Sequence, residues 1–209
     1  MKKNLWLLVL VLSSAPLMAD IGFSNLGGTP EANGGVNNYG TPFTVGPSAM
    51  NLTNITITVF NYSGTADTIG LLLYSDNAGN PGTLLDSLGS QSTAAAAASP
   101  FANVDVSYSL TPIPLDANTT YWLVNSGGGN ENCPAIPVGG GTGLPGWSIG
   151  TTMADIGGTW YSIGDSYEMS LEVTSVPEPS EWALLGLSLA GFAWRWPHPK
   201  TGPETSQPF

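Results

Sequence analysis

Between Asp20 and Ser175 the sequence has no lysine and no arginine. The four basic residues are Lys2, Lys3, Arg195 and Lys200, and the single histidine is His198. Of the fifteen carboxylates, Glu178, Glu181 and Glu204 lie beyond that stretch, which leaves twelve inside it and a formal charge of -12. Side-chain salt bridges within the stretch are therefore excluded. So is a basic surface for nucleic acid or anionic lipid headgroups. Neutral molecules, cations, and anionic polymers bridged by cations remain as partners. The same absences remove Ser–His and Cys–His nucleophile pairs, lysine Schiff bases, histidine metal sites and arginine clamps. Cysteine occurs once, as Cys133 in Asn130-Glu-Asn-Cys-Pro134, so no disulfide forms within the chain. The thiol either stays idle or pairs between molecules. The glycine-rich run at 139–143 has neither the strand before it nor the helix after it that a nucleotide loop needs.

The composition that is present supports a packed domain. Hydrophobic residues make 42% of 209, and Gly (27) with Pro (17) supply many turns without reaching low complexity. Without its two ends the chain leaves roughly 155 residues, about one domain. Its pattern is strand-like. Leu52, Ile55, Ile57 and Val59 alternate in part, and Val104, Val106, Tyr108 and Leu110 alternate cleanly. Thr68 to Tyr74, Thr119 to Val124 and Trp160 to Ile163 are β-branched, aromatic or apolar. Tyr167, Met169, Leu171 and Val173 share one face. Turn signals separate these runs at Ser63-Gly64, Asp76 to Gly82, Asp116-Ala-Asn118, Gly127 to Gly129 and Gly139 to Gly141. Seven to nine short strands at this spacing predict an all-β fold, an antiparallel β-sandwich of jelly-roll-like form. Ala94–Ala98 reads as a loop rather than a helical turn. Residues 20–40 form a loosely ordered Gly/Asn-rich segment before a sandwich at 41–175.

The two ends read as addresses. Residues 1–19 carry Lys2-Lys3, the apolar run Leu5 to Leu12, then Ser13, Ser14, Pro16 and Ala19. That is the order of a secretory signal peptide, with an apolar run too short to span a bilayer. At the other end, Val176-Pro-Glu-Pro-Ser180 precedes an apolar stretch from Trp182 to Trp194, with Arg195 directly after it and Lys200 nearby. The stretch predicts a short transmembrane helix, and its basic flank puts the tail on the inner side. Thirteen residues of helix give ~20 Å against a ~30 Å hydrocarbon core, which suits a transient inner-membrane anchor better than a permanent one. Residues 201–209 extend beyond it.

Val176, Pro177, Glu178, Pro179 and Ser180, followed by Trp182-Ala-Leu-Leu-Gly-Leu187, resemble the PEP-CTERM sorting signal of exopolysaccharide-producing Gram-negative bacteria. The resemblance implies a membrane enzyme, exosortase, as the processing partner, and export to the cell surface. Pro42-Phe-Thr-Val-Gly46, Leu73-Tyr-Ser-Asp76 with Gly79-Asn-Pro-Gly82, and Leu115 to Val124 are similar to choice-of-anchor ectodomains. That resemblance implies a β ectodomain and carries no catalytic residues with it.

Candidate ligand residues are few. Asp76, Asn77 and Asn80 open like a calcium loop, but Ala78, Pro81 and Ser87 stand where an EF-hand needs a ligand, a glycine and a glutamate. They read either as a hairpin turn or as a cation site of another kind, with Ca2+ the one candidate cofactor. Trp147, in Gly143-Leu-Pro-Gly-Trp147, is flanked by turn residues and is a candidate sugar contact. Tyr121-Trp122 and Trp160-Tyr161 sit on strands and read as core. The expected function is a non-catalytic surface or matrix protein associated with exopolysaccharide. A carbohydrate-binding module is the alternative. A glycosidase, which needs only two carboxylates, is the further one.

Overall fold

A computed structural model describes residues 18–27, 30–32, 38–61, 63–98, 102–127, 132–137, 141–164 and 168–176. The chain divides after Ser175 into two units, Met1–Ser175 and Val176–Phe209. The second unit, apart from Val176, lies outside the described residues, as does residues 1–17 of the expected signal peptide. Among the described residues no helix is long and apolar enough to cross a membrane.

The elements in chain order are β1 (Asp20–Ser24), β2 (Pro30–Ala32), β3 (Tyr39–Thr44), β4 (Met50–Asn61), β5 (Thr68–Asp76), β6 (Pro81–Ser92), α1 (Ala94–Ala98), β7 (Asn103–Leu115), β8 (Thr120–Ser126), β9 (Asn132–Pro137), β10 (Thr142–Gly143), β11 (Ser148–Ile149), β12 (Met153–Ile156), β13 (Thr159–Ser162) and β14 (Met169–Ser175). They form two antiparallel sheets. The first runs β10-β1-β14-β4-β9-β2, with β7 on the other edge of β4. The second runs β13-β12-β3-β8-β5-β6, with β11 also on β3.

The core lies between the sheets. β4 contributes Leu52, Ile55, Ile57 and Val59, and β14 contributes Met169, Leu171 and Val173, all fully buried. Facing them are Phe43 of β3, Ile69, Leu71 and Leu73 of β5, and Tyr121 and Leu123 of β8. Alternation explains most of this, because successive strand side chains point to opposite faces. The step of three from Leu52 to Ile55 breaks the alternation, and a bulge between Leu52 and Asn54 returns Ile55 to the inner face. Tyr108 of β7 crosses the core, and its hydroxyl donates to the Ile69 carbonyl at 2.8 Å. Burial pushes the Tyr108 phenol well above the usual tyrosine value by desolvation.

Three features differ from the sequence expectations. Asp20–Ser24 is not a loose leader but β1, paired with β14 and β10, with Phe23 in the core. The turn after it is held by Asn25, whose side chain accepts from the Met169 amide at 2.7 Å, and by buried Glu168, which accepts from the Gly27 amide. β3 likewise begins at Tyr39, inside the segment read as its approach. Finally, Ala94–Ala98 is a short helix rather than a loop. Thr93 fixes its start: the Thr93 hydroxyl accepts from the Asp67 amide and donates to the Asp67 carbonyl, and the Thr93 carbonyl accepts from the Ala97 amide. Alanine has the highest helix propensity, and Ala96 and Ala97 are small enough to bury against the sandwich.

Candidate functional site

The β5–β6 connection is a tight hairpin. The backbones of Asn77 and Asn80 exchange hydrogen bonds of 2.8 and 3.2 Å, leaving Ala78 and Gly79 as a two-residue turn. Both turn residues have positive φ, 50° and 83°, the pairing that a type I′ turn demands. Glycine meets that demand at position 79 without steric cost. Asp76 closes the turn, its carboxylate accepting from the Gly79 amide at 3.2 Å. The same Asp76 Oδ1 accepts from the indole Nε1 of Trp122 at 2.7 Å. Asp76, Asn77 and Asn80 thus come together as the turn itself, with one carboxylate among them. Among the described residues no group of three or more His, Cys, Asp or Glu gathers as metal ligands.

Trp122 stands on the outer face of the second sheet, opposite Pro42 on one side and Tyr74 on the other. It is only 2% exposed. A side chain on Gly40 would strike Pro81, Trp122 and Trp160 at 3.2–3.3 Å, so these three residues close over the strand where glycine leaves room. The hairpin is folded onto the sheet by this packing and by the Asp76–Trp122 bond.

Beside Trp122 the same face carries a polar row. Ser148 of β11 pairs with Thr44 of β3, and Thr44 pairs with Thr120 of β8. The hydroxyls of Thr44 and Thr120 are 2.9 Å apart. Asp76 continues the row one residue past the last β5–β8 pair, Ser75 with Tyr121. These residues line a cleft of about 430 Å³, open to solvent, whose remaining wall includes Pro42, Gly79, Gly150, Thr151 and Met153. The sequence reading missed Thr44, Thr120 and Ser148. Only the strand register brings them together, and no spacing in the chain announces it.

Trp147 is corrected. Expected as a candidate sugar contact, it is 9% exposed, and its ring lies parallel to Phe43 with centroids 6.3 Å apart. Gly22 lies against the ring, where an added side chain would meet three ring carbons at 3.1–3.2 Å. The turn that carries it folds inward through Leu144 N–H to Gly22 O and Trp147 N–H to Leu144 O. The flanking turn residues therefore bring the ring to the core instead of displaying it.

The last strand leads to the sorting motif. Ser175 still pairs with Met50 of β4, and Val176, 40% exposed, is the first residue beyond the sheet. Pro177, Glu178, Pro179 and Ser180 lie outside the described residues, as do the apolar stretch after them and the side chain of Cys133.

Fold and sequence together define an all-β domain that ends at Ser175, followed by a separate C-terminal segment. A family model described as the PEP-CTERM protein-sorting motif matches residues 175–195. The chain thus carries a PEP-CTERM sorting motif at its C-terminal end, which indicates an exported protein sorted to the cell envelope or surface and implies processing by exosortase. A comparison with the curated proteins found no match.

Proposed function

We propose that the ectodomain is a non-catalytic cell-surface or extracellular-matrix protein that associates with exopolysaccharide in a Gram-negative bacterium. It crosses the inner membrane by a Sec-type route under its N-terminal signal peptide. The tail then anchors it transiently through the apolar stretch from Trp182 to Trp194 until exosortase acts. The observation that carries this reading is the sorting motif at 175–195 on a domain without one cationic side chain. Such a domain has no histidine, lysine or arginine for acid–base, Schiff-base or arginine-clamp chemistry. A glycosidase needs two carboxylates across a sugar-sized gap, and among the described residues Asp76 is the one acidic residue lining the cleft. A uniformly anionic surface stays soluble in a hydrated matrix and leaves neutral polymers as the direct partners.

The test is fractionation of producing cells and of otherwise identical cells that make no exopolysaccharide. The protein is expected to sediment with washed polysaccharide from the producers and to remain in the supernatant of the non-producers. Equal amounts in the supernatant of both would contradict the association.

A further inference from the structure

We propose that the cleft beside Trp122 binds a neutral, polyhydroxylated ligand, a hexose unit of a neutral polysaccharide, through the row Ser148, Thr44, Thr120 and Asp76. This rests on the exopolysaccharide reading and places its contact.

Three observations select that chemistry. The first is the donor and acceptor set. Asp76 offers carboxylate oxygens, of which Oδ1 is fixed by Trp122 Nε1 and the Gly79 amide. A carboxylate is acceptor-only and so accepts hydrogen bonds from hydroxyl groups, and charge-assisted bonds of this kind are the stronger ones. The paired hydroxyls of Thr44 and Thr120 can share only one proton between them. The other remains as a donor, with lone pairs to spare. A ligand that both donates and accepts along one edge matches this row; a sugar diol does so.

The second is shape. The row crosses four strands, so at the usual spacing of ~4.8 Å it runs about 14 Å along the sheet. Pro42, Trp122 and Met153 form an apolar shelf next to it. Sugars have the same division, polar at the ring edge and apolar over the C–H faces. Trp122 is too enclosed to act as an exposed stacking ring; it floors the cleft and orients Asp76. A cleft of about 430 Å³ lies within the usual range for small-molecule sites.

The third is charge. No cation lies anywhere between Asp20 and Ser175 to neutralise an acidic sugar, and Asp76 stands in the cleft itself. Uronates, sulfated and phosphorylated glycans are repelled. Among the described residues a divalent cation finds a single carboxylate in the cleft, too few for a calcium cage.

The experiment follows the indole N–H of Trp122 by 15N NMR on the full chain, its resonance identified with Trp122→Phe. The probes are cellotetraose, mannotetraose, galactotetraose and maltotetraose, with tetragalacturonate as the anionic counterpart and CaCl2 as the cation. At least one neutral tetrasaccharide is expected to shift the Trp122 Nε1–H and Gly79 N–H signals to saturation. Thr120→Val, which keeps strand shape, and Asp76→Asn, which keeps an acceptor for Trp122, should each weaken that binding by about tenfold, as loss of a hydrogen bond to a charged or paired group does. Silence from all four neutral probes overturns the proposal, as does binding unchanged in both variants. A stronger response to tetragalacturonate or to CaCl2 alone overturns the neutral-ligand assignment. Sedimentation with polysaccharide separates the two readings. If both variants sediment as the native protein does, association stands but this cleft is not its contact. If the native protein itself does not sediment, the association fails.

Discussion

The two outer faces of the sandwich are built from the same short polar residues, yet they end differently. On the first sheet the polar side chains close on one another. Thr56 and Ser107 hydroxyls lie 2.9 Å apart, Thr58 donates to Asp105 at 2.8 Å, and Asn54 donates to Glu172 at 3.2 Å. These are cross-strand pairs of the ordinary sheet-stabilising kind, set by register between β14, β4 and β7. On the second sheet a large aromatic ring is buried on the outside, beneath a hairpin, and the polar row beside it borders open space. The difference teaches where this domain can recognise anything. Hydroxyl pairs on both faces keep a spare proton, and Asn54 Oδ1 on the first sheet lacks a partner among the described residues; what the second sheet adds is a cleft in which such groups border a carboxylate and an apolar floor, both halves of a binding site.

The sharpest way to break this contrast is Trp122→Ala. An outer-face residue would ordinarily be cheap to truncate, but this ring is as enclosed as core, so the loss should be about 3–5 kcal/mol in urea unfolding. A loss below 1 kcal/mol would show that the hairpin does not need the ring. Next comes Asp76→Ala. It strands the buried indole N–H and should cost about 1–3 kcal/mol, while Asp76→Asn should recover most of it by returning an acceptor. Equal losses from both would mean that the charge, not the bond, matters.

Tyr108→Phe tests the tie that both sheets share. Losing the bond to the Ile69 carbonyl should cost about 1 kcal/mol. It should also change the alkaline limb. The folded phenol titrates above its unfolded value near 10, so native Tyr108 contributes stability that is present below about pH 10 and lost as pH rises beyond it. Melting curves from pH 9 upward should fall more steeply for the native protein than for Tyr108→Phe. The smallest effect is expected on the closed face: Thr56→Val with Ser107→Ala should stay within about 0.5 kcal/mol, because both exposed partners leave together.

Much of the fold was legible because alternation is local. Met169, Leu171 and Val173 could be placed on one buried face from their spacing alone. The offset at Leu52–Ile55 could not be resolved the same way, since a bulge leaves no mark but a broken period. Asp76 was visible as a turn residue. Its second partner, Trp122, lies 46 residues away, and Thr44, Thr120 and Ser148 meet only after three strands have paired. Trp147 misled because turn residues signal a change of direction without saying whether the next side chain turns in or out. The helix at Ala94–Ala98 owed its start to Thr93 bonding back to Asp67, a contact across 26 residues that propensity alone does not foresee.

Both faces belong to a domain closed by its ends. Asp20 pairs with Val173, and Ser175 pairs with Met50, so a processed protein must keep residues 20–175 to keep the first sheet whole. The match to the sorting motif begins at Ser175 itself, the last residue of β14. Intact-mass measurement of the protein recovered from the cell surface tests this most directly. The account predicts a chain that starts near Asp20 and ends near Pro177-Glu178-Pro179. A mass that still includes Trp182 to Trp194, or that ends before Ser175, would contradict it.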